Sequence, residues 1–139
     1  MWTTRQYRQL TRASGWYDLI VTAAFVTPWT FAAVYGWLGQ WSLSLGLEAP
    51  PAFEPIHGLM ANLMGSIVCV WSVLRIRDPQ QAFGRYDAVG RGLFATWQLY
   101  ALSQGASPLI AVIMFFELAW GIAQSLPVRD RPAARLATA

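Results

Sequence analysis

The sequence predicts an all-α membrane protein, a bundle of four transmembrane helices. Of its 139 residues, 55% are hydrophobic and 12% are charged, against about 25% charged residues in a typical soluble domain. Four apolar stretches are long enough to cross a hydrocarbon layer of about 30 Å. All ten basic residues are arginine, and they fall in alternate connections between these stretches. A nucleic-acid partner is not expected for so apolar a chain, whose arginines instead suit anionic lipid head groups.

The first half of the chain contains two predicted spans and a long connection, all in a single domain of residues 1–139. A basic amphipathic segment, residues 1–15, precedes the first span at residues 17–38, where Pro28 is expected to produce a kink. Residues 39–55 are too apolar for a solvated linker and are predicted to lie in the membrane interface. The second span, residues 56–76, is rich in small residues that allow close helix packing.

The second half contains two further spans. A polar loop over residues 75–86 leads to the third span, residues 87–104, whose start is interrupted by a Gly-Arg-Gly run. The fourth span, residues 108–126, lies between two prolines and carries Glu117 near its middle. Residues 128–139 form a polar tail that we expect to be flexible.

The arginines predict the orientation of the four spans. Three precede the first span, four surround the loop between the second and third spans, and three follow the fourth. The other two connections contain no arginine. Since arginine accumulates in cytoplasmic segments, both termini are predicted to be cytoplasmic in a bacterial-type inner (cytoplasmic) membrane.

The sequence also contains a repeat. Residues 15–31 and 84–100 match at an offset of 69, and both copies begin a predicted outward-running helix. The matched pairs are Gly15/Gly84, Tyr17/Tyr86, Asp18/Asp87, Phe25/Phe94 and Thr27/Thr96. This pattern predicts a parallel 2+2 arrangement of two helical hairpins, a repeat type found in transporters.

The repeated acids Asp18 and Asp87 have two interpretations. At the cytoplasmic end of a helix, an aspartate caps free N–H groups and favours the positive end of the helix dipole. Arg91 lies four residues after Asp87, so the two side chains are able to pair along the helix. The alternative is a cytoplasmic gate or proton-entry site formed by the same three residues.

A polar chamber with aromatic walls is predicted at mid-depth in the bundle. Counting from the ends of the spans places several polar and aromatic residues at one level or on one helix face. The predicted ligand-binding residues at this level are Glu117, Trp120, Gln124, Trp29, Trp97, Thr96 and Tyr100.

Glu117 is the principal candidate in this chamber, because a carboxyl group at mid-membrane is costly and usually functional. No arginine is expected to reach its level, so desolvation should raise its proton affinity and leave it protonated at rest. An interhelical hydrogen bond, a ligand or proton site, and a contact between subunits remain open as its role.

His57 and Asn62, towards the outer end of the second span, are weaker ligand-binding candidates. A lone histidine near a helix start also serves as a cap or interface residue, and Cys69 as a small packing residue. With one histidine and one cysteine, the chain lacks the partners of a metal site except across a symmetric oligomer. No cofactor is indicated.

One local resemblance accompanies these patterns. The run Glu-Leu-Ala-Trp-Gly at residues 117–121, followed by Arg129 and Arg131, resembles the helix-end pattern of the DoxX-like membrane proteins. That family consists of four-helix bundles, some of them subunits of quinone-linked redox complexes. Its glutamate usually lies in the second helix, where this chain has Asn62, Leu63 and Gly65. The resemblance therefore implies a membrane-embedded ligand or a quinone-type role, and no catalytic residue is transferred from it.

Three functions are compatible with the sequence. The chain binds or transports a hydrophobic or amphipathic small molecule, quinone- or lipid-like, with Glu117 as polar anchor. Alternatively, it is a non-catalytic accessory subunit of a larger membrane complex. The third possibility is an enzyme with Glu117 as general acid or base, which needs a second titratable group within reach. In each case we expect membrane lipids as partners and a homo-oligomer or a complex with other subunits.

Overall fold

Residues 1–129, the part of the chain that the computed structural model describes, form five α-helices and one short pair of strands. The predicted all-α class is therefore confirmed. The predicted flexible tail, residues 128–139, lies outside the described residues except for its first two. The helices are α1 (Thr4–Thr22), α2 (Pro28–Ser44), α3 (Pro55–Arg77), α4 (Gln81–Ser103) and α5 (Leu109–Ser125); β1 (Trp2–Thr3) pairs in parallel with β2 (Val128–Arg129).

Helix α1 begins much earlier than predicted, because a capping box starts it. The Thr3 hydroxyl accepts a hydrogen bond from the Gln6 backbone N–H at 3.3 Å, and the Gln6 side chain accepts one from the Thr3 N–H at 3.0 Å. Two of the N–H groups left free at the helix start are thereby satisfied. The basic segment of residues 1–15 is consequently helical and continuous with the region predicted as the first span.

Pro28 begins a helix and does not kink one, which corrects the predicted first span of residues 17–38. A proline at the first position of a helix removes no hydrogen bond within the helix, because an N–H at that position has no partner there. The backbone of Thr27, the residue before it, is extended, and the Thr27 hydroxyl accepts a hydrogen bond from the Thr30 N–H. A 3-10 turn at Ala23–Phe25 ends α1, and α2 leaves it at an angle of 97°.

The remaining helices agree more closely with the sequence. Helices α3 and α5 match the second and fourth predicted spans to within about one residue at each end. Helix α4 starts six residues before the predicted third span, so the loop predicted over residues 75–86 contracts to Asp78–Gln80. Because of this earlier start, Asp87 and Arg91 lie well inside α4.

The helices pack in two pairs, α1 with α3 and α4 with α5. Small residues permit the closest approaches. A Cβ on Gly15 would lie 3.1 Å from the Ser72 carbonyl oxygen of α3, and one on Gly84 of α4 would lie 2.7 Å from the Tyr7 hydroxyl of α1. The first repeat copy starts within α1, which packs with α3, and the second starts within α4, which packs with α5. Helix α2 is an additional helix between α1 and α3. Superposition of the two halves stays a prediction.

The distribution of polarity is inverted relative to a soluble protein. Most of the large apolar side chains on α3, α4 and α5 are exposed, whereas the buried side chains are mostly polar or charged. Among residues 1–129, the buried polar and charged residues are Thr11, Ser14, Asp18, Ser42, Ser72, Arg75, Asp87, Arg91 and Gln124.

Within residues 1–129, α3 is the only single helix that is both long enough and apolar enough to cross a membrane. Helices α1 and α2 pass together if the bent pair counts as one broken span. Helix α5 is strongly apolar but has only 17 residues. Helix α4 is less apolar because it contains Arg85, Asp87 and Arg91.

Candidate functional site

Five charged side chains from four helices meet in one buried network, which we call the ion cluster. It lies in the half of the bundle where α3 ends and α4 begins. Its members are Asp18 of α1, Arg75 of α3, Asp87 and Arg91 of α4, and Glu117 of α5.

Arg75 is the fully buried centre of the ion cluster. Its Nη2 lies 2.5 Å from Asp18 Oδ2, and its Nη1 lies 2.5 Å from Asp87 Oδ2. Nη1 also donates to the Ser14 hydroxyl at 2.9 Å. Its Nη2 also donates to the Ser72 hydroxyl, three residues earlier on α3, at 3.4 Å. Arg75 therefore connects α1, α3 and α4 through charge-assisted hydrogen bonds.

Arg91 extends the network to α5. Its Nε donates to Asp87 Oδ2 at 3.1 Å, one turn earlier on α4. Its Nη2 donates to Asp18 Oδ2 at 2.7 Å, and its Nη1 donates to Glu117 Oε2 at 2.8 Å. The guanidinium lies 6.0 Å from the centre of the Trp120 ring, a favourable cation–π contact. Arg91 thus has a carboxylate partner on three helices.

Asp87 accepts more hydrogen bonds than the other acids. The Trp71 indole N–H donates to its Oδ1 at 3.0 Å, and Gln124 Nε2 donates to its Oδ2 at 2.8 Å. The guanidinium groups of Arg75 and Arg91 are the other two hydrogen-bond donors to Asp87. Gln124 is fully buried and also donates to the Ser14 hydroxyl at 2.8 Å. The Gln124 Oε1 atom has no hydrogen-bond partner within residues 1–129.

The last turn of α5 is held in place from two sides. The Tyr7 hydroxyl donates to the Gln124 carbonyl oxygen at 2.7 Å. Arg85 Nη1 donates to the carbonyls of Gln124 and Ser125, and Nη2 donates to that of Leu126. A cation at the C-terminal end of a helix satisfies free carbonyls and complements the helix dipole. These contacts set the position of Gln124.

The ion cluster contains three carboxylates and two guanidinium groups, which leaves one negative charge in excess when all are ionised. Desolvating five charges is costly, and their mutual attraction compensates only if the geometry is good. Removing one member therefore leaves a buried charge without its partner. The cluster therefore joins four helices, and its net contribution to stability depends on this geometry.

An apolar groove of about 330 Å³ lies between α4 and α5 next to the ion cluster. Arg91 and Glu117 form its polar part. The Glu117 side chain is 13% exposed, and its Oε1 atom accepts no hydrogen bond from residues 1–129. The other lining residues are Ala88, Gly92, Leu118, Gly121, Ile122, Ser125 and Leu126.

The structure brings together six of the residues predicted as functional. Asp18, Asp87 and Arg91, predicted as a gate or as helix caps, belong to the ion cluster together with Glu117. The capping interpretation is wrong, because Asp18 lies in the second half of α1 and Asp87 lies six residues inside α4. The other two residues that the structure places here are Trp120 and Gln124.

The expectation that no arginine reaches Glu117 is also wrong. Arg91 was expected at the start of the third span, far from mid-depth. Because α4 begins at Gln81, Arg91 lies ten residues inside the helix and its guanidinium reaches the Glu117 carboxylate. The expected protonation of Glu117 stays a prediction.

The predicted aromatic chamber does not form within the described part of one copy of the chain. Trp29 and Trp97 are 78% and 65% exposed, and Thr96 and Tyr100 also face outward. The 97° turn after α1 carries Trp29 away from the bundle. On α4, the face with Arg91 and Ala95 is buried, so Trp97 and Tyr100 fall on the opposite side.

His57 and Asn62 are also distant from the ion cluster. His57 is exposed and lies edge-on to the Phe53 ring, with centroids 5.9 Å apart. Asn62 has a structural contact, since its Nδ2 donates to the Phe25 carbonyl oxygen at 2.8 Å. That carbonyl belongs to the 3-10 turn where α1 ends, so Asn62 stabilises the break between α1 and α2.

Sequence reasoning missed Arg75, which was assigned to a polar loop, and with it Ser14, Ser72 and Trp71. One signal was available. Two aspartates inside predicted spans favour buried cations as partners, and Arg75 lies in the last turn of the apolar helix α3. No group of at least three His, Cys, Asp or Glu residues suited to a metal ion was found within residues 1–129.

No protein-family model, curated protein or solved structure matches this chain. Its function is therefore inferred from the side chains and their contacts alone. The DoxX-like resemblance of residues 117–121 stays a prediction.

Proposed function

We propose that this chain is an integral membrane protein that binds or transports a hydrophobic or amphipathic small molecule, quinone- or lipid-like, in the groove between α4 and α5. The observation that carries this proposal is the Arg91–Glu117 ion pair, which forms one polar wall of an otherwise apolar groove. Ligand sites combine apolar walls with a few polar groups in this way.

The distribution of polarity supports a membrane environment. Charged groups inside membranes face the interior of a bundle and pair with one another, as the ion cluster does. Exposed apolar side chains cover α3, α4 and α5, a surface suited to lipid. We propose that the chain crosses the membrane four times, through the broken pair α1–α2, α3, α4 and α5, with both termini cytoplasmic.

A basic face on α1 supports the same orientation. Arg5, Arg8 and Arg12 line a groove of about 540 Å³ near Pro79, which belongs to the α3–α4 loop. Arginines here suit the phosphates of anionic lipids, which are concentrated at the cytoplasmic surface. The ion cluster would then lie below this surface, within the membrane.

In the proposed complex, the polar head of the ligand contacts Glu117 and Arg91, and its apolar part packs on Leu118, Ile122 and Leu126. Trp120 lies behind the pair and supports the Arg91 guanidinium. Trp29, Trp97, Thr96 and Tyr100 face outward. They would join a binding site only in an oligomer or a larger complex.

A second candidate is the accessory subunit, in which the ion cluster only joins helices. The observation in its favour is that Arg75 contacts Asp18, Asp87 and Ser14 without reaching the surface. Buried networks of this type specify geometry in some proteins.

The groove is testable with two glycine variants on α4. A Cβ added to Gly92 or to Gly90 meets no atom within 4 Å, but only Gly92 lines the groove. Gly92→Leu should fill the groove and abolish binding of amphipathic molecules, while Gly90→Leu should retain it. Native mass spectrometry of purified protein in lipid nanodiscs would report bound molecules for both variants. Wild-type protein that holds no added or co-purified amphipath would overturn the proposal and favour the accessory subunit.

A further inference from the structure

The charges of the ion cluster indicate which head group the groove accepts. When all five groups are ionised, its three carboxylates and two guanidinium groups leave one negative charge in excess. Arg85, two residues before Asp87, already donates to the carbonyl oxygens of Gln124, Ser125 and Leu126 at the end of α5. Its charge is therefore directed at the negative end of that helix dipole, and the excess in the cluster remains.

Glu117 is the only carboxylate of the ion cluster that lines the groove. Asp18 and Asp87 are enclosed by Arg75 and Arg91 and do not line the groove. Glu117 does line it, and only its Oε2 is engaged by Arg91. Its Oε1 accepts nothing from the rest of residues 1–129. A group that donates a hydrogen bond and carries positive charge complements this oxygen.

Arg91 offers less to an incoming head group. Three of its five N–H groups, one on each nitrogen, already donate to carboxylates of the ion cluster. Its side chain is only 3% exposed. An anionic head would therefore meet the free Glu117 oxygen and the excess negative charge without gaining a free cation. Like charges brought together in a low-dielectric site repel strongly, so anionic amphipaths should be rejected.

The walls of the groove exclude a bare metal ion and favour an organic cation. Beyond Arg91, Glu117 and Ser125, the lining side chains are hydrocarbon or absent, as at Gly92 and Gly121. One free carboxylate oxygen provides too few ligands for a hard cation, which takes six or more oxygens. A volume of about 330 Å³ accommodates a head group and the first part of an alkyl chain. The remaining chain would extend along the exposed apolar surface of α5.

We infer that the groove selects amphipathic molecules with a positively charged amine head, which pairs with Glu117 while the alkyl chain packs on Leu118, Ile122 and Leu126. This inference rests on the proposed function and names the ligand class of the same site.

Three probes with the same alkyl chain test it without any variant, namely dodecylamine, dodecanol and dodecanoate. Binding is measured to the wild-type protein in nanodiscs of zwitterionic phosphatidylcholine at neutral pH, where dodecylamine is cationic and dodecanoate is anionic. The Gly92→Leu protein, with its groove filled, is the reference for partition into lipid. We expect the amine to bind at least about tenfold more tightly than the alcohol, and the carboxylate not to bind detectably.

A matched pair of variants assigns the preference to Glu117. Glu117→Gln keeps a carbonyl oxygen for Arg91 but makes the cluster neutral, so the preference for amine over alcohol should disappear. Glu48→Gln changes the net charge equally at an exposed loop position and should preserve the preference.

The outcomes separate the two proposals. Equal binding of amine and alcohol to the groove overturns the inference and leaves the proposed function standing. Absence of binding by all three probes overturns both. A preference that persists in Glu117→Gln, or that is lost equally in Glu48→Gln, also overturns the inference. The three-probe ranking decides the matter on wild-type protein if Glu117→Gln fails to fold.

Discussion

Asp18 of α1 and Asp87 of α4, which are 69 residues apart in the sequence, hold the same two guanidinium groups. Arg75 lies 2.5 Å from an oxygen of each, and Arg91 lies 2.7 Å from Asp18 and 3.1 Å from Asp87. The two repeated acids therefore face a common centre and are not independent helix caps. Because Arg75 belongs to α3 and Arg91 also contacts Glu117 of α5, one set of ion pairs joins four helices.

Removal of the Arg75 side chain should be the most damaging single truncation in the ion cluster. Arg75→Ala leaves Asp18 and Asp87 with one buried cation in place of two. Breaking a buried pair in this way typically costs about 3–5 kcal/mol. The free energy of unfolding in detergent or bicelles would measure the loss. Arg77→Ala, at an exposed position two residues later, is the control and should change it by less than about 0.5 kcal/mol. Similar losses for both variants would contradict this role of Arg75.

The two aspartates should differ in their contribution to stability. Asp87 accepts hydrogen bonds from Trp71, Arg75, Arg91 and Gln124, whereas Asp18 accepts them from the two arginines. Asp87→Asn presents an amide N–H₂ to donors and strands more of them than Asp18→Asn does, so it should be the more destabilising variant by at least about 1 kcal/mol. Unfolding of both single variants and the double variant would also yield their coupling energy. A larger loss for Asp18→Asn would refute this ranking.

Substitution by alanine should destabilise the protein at glycines in helix contacts and stabilise it at glycines in open space. A Cβ on Gly84 would lie 2.7 Å from the Tyr7 hydroxyl, and one on Gly65 would lie 2.7 Å from the Phe25 backbone carbon. Alanine at either position should cost about 1–3 kcal/mol through overpacking. Alanine at Gly90 of α4 or Gly58 of α3 meets no atom within 4 Å and should stabilise its helix by up to about 1 kcal/mol. Thermal unfolding of the four variants would test these signs.

Asn62 should stabilise the break between α1 and α2. Its amide is the side-chain donor to the Phe25 carbonyl oxygen, so Asn62→Ala leaves that carbonyl without this bond and should cost about 1–2 kcal/mol. Ser66 provides the control, since its hydroxyl bonds to the Asn62 carbonyl of its own helix and Ser66→Ala should be nearly neutral. Equal effects of the two variants would show that the Asn62 contact carries no special weight.

The proposed orientation predicts which positions react with membrane-impermeant thiol reagents. In a Cys69→Ser background, cysteines at Ser44 and Ser107 should be labelled from outside the cell. A cysteine at Gln9, on the basic face of α1, should react only after the membrane is permeabilised. External labelling of the position 9 variant in intact cells would overturn the arginine-based orientation.

The helices of most uniform composition were predictable from local sequence. Helices α3 and α5 were located to within about one residue because each is a continuous apolar run bounded by proline or charged residues. Local rules failed where two signals competed. Pro28 is compatible with either a kink or a helix start, and the choice depends on what surrounds it. The polar first half of α1 was not predicted as part of the first helix, because its start depends on a capping box of Thr3 and Gln6 that lies outside the apolar run.

The sequence by itself determined that the chain is helical, that α3 is apolar enough to cross a bilayer, and that Glu117, Gln124, Asp18, Asp87 and Arg91 are polar residues in apolar surroundings. These properties depend on composition and on spacing within one helix. Only the tertiary structure decided how the charges pair. Arg75 and Asp18 are 57 residues apart, and their contact depends on the register of α1 against α3, which Gly15 and Ser72 set through close packing. Arg91 meets Glu117 because α4 begins at Gln81, six residues before the predicted span, and packs against α5. Ion pairing at 2.5–3.1 Å requires this relative placement of helices, which no property of a single helix specifies.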